Sequence, residues 1–497
     1  MSIPNHCTIL IIGGGPAASY AASVLGREGI DTVVLEAEEF PRYHIGESLL
    51  PSVRYLLDFI ECYDKANNHG FLRKNDASFK LVSLQPWYTD FVGAGGAGNH
   101  AWNVLRSEAD DILFRHAEAN GATVFDGVRM PSLEFAPAKQ GQNQNKALGR
   151  RPISACWSRK KDKTVTTGTI SFEYLVDASE RAGLLSNKYM ETRIQNQRLQ
   201  SMALWGYQRG AGTYGPNPGD PFSEALTDGS GWVWYVQLHD GTVSVGVTLK
   251  QERIAEKMRA YHKGFCLACL QETPGIAKLL SDADLRSSRI AADWSYSAST
   301  YAHPHARIAG DAGCFIDPLF SSGVRLAMMG GISAAVTICA SLRGNCSEEE
   351  ASGWHSAKVA EAYTRFLLVV RSAMEQILGR EKAVLNELDE VNFDAGTVTV
   401  AFVHFRPTFQ GTIDAGEKLS KGEVDRSSGC LADLDTSQAE GRWAARGAAT
   451  FSESSQCDEV IMKMVRILDL NSFKVDIVNG MAPIMERGTL GPVKQPA

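Results

Sequence analysis

"TILIIGGGPAASYAASVLGREGIDTVVLEA", residues 8–37, holds an apolar run, three consecutive glycines, a small-residue segment and a second apolar run closed by an acid. The pattern predicts strand, glycine-rich turn, helix, strand. The turn spells GxGxxA from Gly13 through Gly14, Gly15, Pro16 and Ala17 to Ala18. In such a turn the first glycine permits the tight bend and the second lets backbone approach a pyrophosphate. The small third residue seats the helix on its strand. Amides of the first helical turn, Ala17 among them, then face the phosphates with the positive end of the helix dipole. Pro16 in that turn removes no needed donor. Glu36, closing the second strand, is placed to accept from a ribose hydroxyl. A nucleotide cofactor is the expectation.

Working outward, the chain has 497 residues, 44% hydrophobic and 22% charged, with a net charge of −7. That balance suits two to four compact units, or one large α/β enzyme with an appended region. The negative charge and the lack of a dense Lys/Arg stripe argue against a nucleic-acid partner. The one basic cluster, "SRKKDK" at 158–163, reads as a solvated turn. Ten cysteines include Cys266 and Cys269 in "GFCLACL", a CxxC without a second pair on a helix-like stretch. This reads as a packed helix face, so no metal site is expected. Neither terminus carries a recognisable signal, and no run approaches ~18 consecutive apolar residues. The expectation is a cytoplasmic protein with free thiols and no membrane span.

Further along, helices are predicted at about 48–61 and over "SEADDILFRHAEANG", with strands at "FKLVSL" and "ATVFDG". Residues 136–150 are polar and aperiodic and read as an exposed loop. "TVTTGTISFEYLVDAS", "SMALWGY" and "GWVWYVQLHDGTVSVGVTL" read as strands, the last a hairpin turning at Asp240-Gly241. A small-residue helix is predicted over 322–342, and the pattern beyond 350 is mainly helical. The fold class expected is α/β: a Rossmann-like domain interleaved with an antiparallel β-sheet region and a helical C-terminal part. The domain reading is 1–130 with 285–345 for the cofactor, 65–100 with 150–284 for a β-rich substrate region, and 346–497 for the C-terminal region.

"RIAGDAGCFIDPLFSSGVRLAMMGG", 307–331, supplies a strand, Gly310-Asp311 and a small-residue helix start. A lone Gly-Asp is often only a turn. Paired with GxGxxA it points to FAD, because Asp311 at a strand end can accept from a ribityl hydroxyl. The set "GGGPAAS", "PRYHIGESLLP" (41–51), "WNVLR" (102–106) and "GDAGCFIDPLFSSGV" resembles the flavin-dependent halogenases. It is most similar to the fungal enzymes that chlorinate phenolic polyketides in secondary metabolism, and it is related to the tryptophan halogenases. The resemblance runs to about 345 and more loosely to the end. It implies the class A flavin monooxygenase fold.

What the resemblance implies is chlorination or bromination of an electron-rich phenol. FADH2 would come from a separate NAD(P)H-dependent flavin reductase. A flavin C4a-hydroperoxide and chloride would give hypochlorous acid, which must be guided to the substrate. Alone, Lys74 in "GFLRKNDASFK" reads as a solvated charge. By resemblance it is the guiding lysine, since desolvation lowers a lysine pKa and suits it to hold or carry the oxidant. Ser322 and Gly323, at a helix start, can offer amides to chloride, although Ser322 also reads as a plain N-cap. By resemblance Val324 backs the flavin, Glu47 lines its channel and Arg106 approaches it. The chain departs from the family at Asp76 and Glu180, each in place of a glycine, and at Arg325 in place of a histidine.

The family also carries W-x-W-x-I-P, read here as Trp232-Val233-Trp234-Tyr235-Val236-Gln237. In a strand Trp232 and Trp234 share one face. They would wall the substrate off from the flavin and pass only the small oxidant. By composition alone they equally read as hairpin core. Two other readings stay open at this level: an FAD-dependent aromatic hydroxylase of the same fold, and a non-catalytic flavin-binding paralogue.

Overall fold

The computed structural model describes residues 2–80, 87–137, 147, 149–161, 164–254, 257, 270–280, 289–378, 473 and 477–495. The strand His6–Ile12 lies at the centre of the first sheet, between Thr164–Asp177 and Thr32–Leu35, all parallel. Ala306–Ile308 and Thr123–Phe125 extend it on either side, also parallel. Its apolar run is continuous because both faces are covered. Ile9 and Ile11 pack with the helix Pro16–Arg27, while Leu10 and Ile12 join a separate cluster on the opposite face.

The helix Gly323–Arg343 lies against Pro16–Arg27 at small residues. A Cβ at Gly331 would come 2.5 Å from the Ala17 carbonyl, and one at Gly330 would sit 3.2 Å from the Gly310 amide. Glycines there let the helix press onto both nucleotide motifs, and this close approach brings the two distant segments together. The helix is long and apolar enough to cross a membrane by composition, but its apolar window is 83% buried within the protein.

The second sheet runs Arg289–Ala298, Arg193–Arg209, Thr242–Lys250, Gly231–Gln237, Phe222–Ala225, Ser78–Lys80, Trp87–Tyr88. It is antiparallel except where Ser78–Lys80 joins Phe222–Ala225. The hairpin turns at Asp240-Gly241, with Gly241 at φ 79° and Asp240 Oδ1 accepting from the Thr242 amide at 2.9 Å. Strand alternation divides the residues cleanly. Val233, Tyr235, Val245, Val247 and Leu249 pack in one cluster, while Trp232, Trp234 and Trp205 face the first sheet.

Several expectations shift. Thr164–Asp177, read as part of the β-rich region, pairs antiparallel with Pro152–Lys161 through its first half and parallel with His6–Ile12 through its second. The switch follows its burial: the strand is exposed at its start, alternates through its middle and is continuously buried at its end. Arg289–Ala298, read with the cofactor domain, is the edge of the second sheet. The predicted helix at 48–61 is confined to Val53–Phe59, because Ser48 is held in a bridge to Asn103. In the C-terminal region, Glu348–Leu378 is helical and Met481–Ile484 pairs with Gly491–Lys494. Cys266, Cys269 and the loop at 138–146 lie outside the described residues.

Candidate functional site

A cleft of about 260 Å³ opens between the two sheets. Its nucleotide end is the turn after His6–Ile12. Gly13 has φ 103°, and a side chain there would overlap the Ala178 carbonyl. Gly14 donates to Glu36, which is 7% exposed and also accepts from the Glu38 amide at 2.8 Å. Gly15, Pro16 and Ala17 line the cleft, and the helix they open has no side-chain cap. Ala18 is fully buried beneath it. Arg42, 5% exposed, stands beside Gly15; its Nε makes no hydrogen bond and lies 3.9 Å from Glu36 Oε1, and its Nη2 donates to Glu180 at 3.0 Å. Asp311 lines the cleft, and its carboxylate makes no hydrogen bond to any described residue; burial pushes it up to about 6. Uncapped amides, a buried guanidinium whose Nε makes no hydrogen bond and a carboxylate without donors fit the phosphates and hydroxyls of FAD.

Lys74 closes the strand Leu72–Lys74, which pairs with Ala101–Asn103. It is 2% exposed and lines the same cleft. Its Nζ donates to Ser48 Oγ and to the Leu49 carbonyl, both at 3.0 Å, and lies 5.3 Å from the Phe91 ring centre. Desolvation lowers it to about 7, against the opposing pull of Asp220 and Asp76. With two N–H groups engaged, the ammonium keeps one free donor and the neutral amine keeps its lone pair. The residue read alone as a solvated charge is a buried amine.

Asp76 is not in the left-handed region that its place in the motif suggested. Its Oδ1 instead accepts from the amides of Ala77, Thr89 and Asp90 and from Thr89 Oγ1, at 2.6–2.8 Å, ordering the loop beyond Lys74. Glu180 does have φ 54°, so its replacement of glycine carries backbone strain.

Trp232 and Trp234 both line the cleft, 2% and 9% exposed, with ring centroids 5.8 Å apart. Trp234 lies across Gly246 of the neighbouring strand, where a side chain would overlap its indole. Gln237, the motif's departure, falls on the opposite face and reaches the Gly212 carbonyl at 3.4 Å. Trp234 Nε1 donates to Ser244 Oγ at 3.2 Å, and Ser244 in turn donates to Glu47 Oε2 at 3.4 Å. Glu47, 4% exposed and pushed up by burial, also accepts from Tyr207.

Arg106 is 6% exposed and bound to Asp110 through two bonds of 2.8 and 3.0 Å. Its Nη1 donates to the Ile45 carbonyl at 2.8 Å, fixing the segment that carries Glu47. Ser322, Gly323 and Val324 line the cleft at the start of Gly323–Arg343, and Ser322 makes no side-chain cap. A Cβ at Gly323 would meet nothing within 4 Å, so this turn faces open space. Arg325 turns away, donating to Ser52 Oγ at 2.9 Å. His69 Nε2 is hydrogen-bonded to Glu108 Oε2 at 2.7 Å and His239 Nε2 lies 3.2 Å from the same oxygen, joining the segments that carry Arg106, Lys74 and the tryptophans.

Gly15, Ala17, Glu47, Lys74, Arg106, Trp232, Trp234, Asp311, Ser322, Gly323 and Val324 thus share one cleft, with Gly13, Gly14, Ala18 and Glu36 behind its nucleotide end. Sequence reasoning missed Ser48, Tyr43, Tyr207 and Asp317. Ser48 and Tyr43 stand inside "PRYHIGESLLP", where neighbours of a motif residue deserved weight. Asp317, in "GDAGCFIDPLF", is a buried carboxyl in the cleft, raised to about 7 by desolvation. Tyr207 carries no sequence signal at all.

A largely parallel sheet with a glycine-rich turn, facing an antiparallel sheet across such a cleft, suits an FAD-dependent oxidoreductase. A tryptophan halogenase family model matches residues 8–117 and 158–372. The sulochrin halogenase gedL of Aspergillus terreus is 46% identical, over 99% of this chain and 94% of its own. The flavin-dependent halogenase ascD of Acremonium egyptiacum is 44% identical, over 100% and 94%. Among solved structures, the myxobacterial chondrochloren halogenase CndH shares the fold with a TM-score of 0.67 at 24% identity, over 93% of this chain and 97% of that one. The chain belongs to the tryptophan halogenase family. It is a flavin-dependent halogenase, and reduced FAD, dioxygen and a halide are its co-reactants.

Proposed function

We propose that the enzyme chlorinates or brominates an electron-rich phenol of polyketide type, with Lys74 directing the halogen. The observation that carries this is a desolvated amine in the cleft, held by Ser48 and Leu49, with one valence left for an oxidant. The bound flavin supplies, with dioxygen and halide, an oxidised halogen equivalent. The protein holds and directs it. Gly13, Gly14, Gly15, Ala17 and Ala18 seat the pyrophosphate, while Glu36 and Asp311 accept from ribose and ribityl hydroxyls. Glu47, Arg106 and Val324 border the ring. The uncapped turn at Ser322 and Gly323 offers amides to the halide. Trp232 and Trp234 keep the phenol from the flavin, so the small oxidant passes and oxygen transfer is suppressed.

The substrate class is supported by the name of one relative, which gives sulochrin, and by a neighbouring halogenase, PltM, solved with phloroglucinol and FAD. A phenol activates its own ortho position and needs no strong base. Electrons come from a separate flavin reductase. The free thiols among the described cysteines support a cytoplasmic setting. The deciding assay combines the protein, FAD, a flavin reductase, chloride or bromide and a resorcinol-type phenol. A halogen isotope pattern in the product is expected. Oxygen insertion, with NADPH consumed by the protein alone, would instead mean a hydroxylase.

A further inference from the structure

Halogenation by this family consumes a proton. Reduced FAD, dioxygen, halide, arene and one proton give oxidised FAD, haloarene and two waters. The two flavin hydrogens, the displaced arene hydrogen and the proton make up the four hydrogens of the waters. That proton must reach the buried end of the cleft, where Glu47 and Lys74 lie, from solvent.

One chain of hydroxyls fits. Trp205 Nε1 donates to Tyr43 Oη at 2.6 Å. Tyr43 and Tyr207 hydroxyls lie 3.1 Å apart, and Tyr207 donates to the Glu47 carboxylate. The direction is determined. Glu47 takes the Tyr207 hydrogen, so Tyr207 can only accept from Tyr43, whose oxygen accepts from the indole N–H through one lone pair and keeps a second for an incoming proton. The Tyr43 and Tyr207 hydroxyls therefore both donate from the outer residue toward the cleft. Tyr43 is 37% exposed, whereas Glu47 is 4% exposed and lines the cleft.

We propose that Tyr43, Tyr207 and Glu47 form the path by which the cleft takes up its proton. A proton arrives on the Tyr43 oxygen; the Tyr43 hydrogen passes to Tyr207, and the Tyr207 hydrogen passes to Glu47. The carboxyl then presents the proton to the cleft, and rotation of the two hydroxyls resets the chain. Burial and the neighbouring carboxylate hold both tyrosines as neutral phenols, so they relay a proton without storing charge. The groups facing Glu47 are Tyr207, Ser244 and the Arg106 cation, and Arg289 packs 3.6 Å over the Tyr43 ring. Ser244 accepts from Trp234 and donates to Glu47, so its hydrogen too points toward the carboxylate.

The path rests on the halogenase reading, and two arms separate the two claims. In the protein without flavin, at a pH low enough to protonate Glu47, infrared spectroscopy follows hydrogen–deuterium exchange of its carboxyl, with Glu47→Gln assigning the band. Tyr207→Phe, which keeps the ring and its packing, is expected to slow that exchange. In the enzyme with FAD, reductase, chloride and phenol, Tyr207→Phe is expected to lower kcat by roughly tenfold or more and enlarge the solvent deuterium isotope effect. KM for the phenol and FAD affinity should stay unchanged. If Tyr207→Phe does not fold, Tyr43→Phe, on a more exposed ring, reads the same path. Exchange and isotope effect equal to wild type would overturn the path. Slowed exchange without any halogenated product would leave the path standing and overturn the reaction assigned to it.

Discussion

Lys74 is a cation that folding strips of water. Its folded pKa of about 7 lies below the ordinary 10.5, so between these values the unfolded chain holds a proton that the folded chain lacks. Stability contributed by this group therefore rises with pH from about 7 toward 10. Lys74→Met should lose that rise in denaturant titrations at several pH values, while abolishing halogenation and retaining FAD; a slope equal to wild type would contradict the buried amine. Glu180 offers the opposite test. Its left-handed backbone suits glycine, and its carboxylate occupies Arg42, the cation beside Gly15. Glu180→Gly should raise stability by about 1 kcal/mol and tighten FAD, read by thermal melts and flavin titration.

At the scale of elements, the strand Gly231–Gln237 works through the flatness of its neighbour. Trp234 spans the next strand only because Gly246 has no side chain. Gly246→Ala forces the indole aside, with a cost of about 1–3 kcal/mol in unfolding experiments. Trp234→Phe keeps an aromatic ring but opens space and releases Ser244. The expected outcome is more hydroxylated product and hydrogen peroxide per halogenation, read by product analysis and peroxide assay. Unchanged coupling would reduce the pair to packing.

Across the whole molecule, separate stretches of chain line one cleft, and FAD bound there would bridge them. A ligand present at about 100 times its Kd stabilises by about 2.7 kcal/mol, so FAD should raise the melting temperature measurably. Burial pushes the Asp311 carboxyl up to about 6, and the ionised form would accept a hydroxyl of bound FAD more strongly than the protonated form. FAD affinity should therefore weaken as pH falls through about 6. Asp311→Asn should bind more weakly at neutral pH and lose this dependence in flavin titrations.

Much of this was legible in the sequence because it rests on local rules. GxGxxA followed by an acid dictates a turn and a helix start within a few residues, and alternation alone placed Trp232 and Trp234 on one face. Motif order carried Asp311, Ser322 and Lys74 toward one site. What only the tertiary structure decided involves two segments at once. The burial of Lys74 arises where its strand, Ser48 and Phe91 converge. The division of Thr164–Asp177 between two pairings depends on which strand lies beside each half. Asp76 escaped the strain expected of it because Thr89 and Asp90 bring donors to its carboxylate. Tyr207 meets Glu47 across a sequence distance that no periodicity spans. Desolvation and hydrogen-bond direction are properties of a surrounding volume, and a chain acquires them only when its distant parts close around the same point.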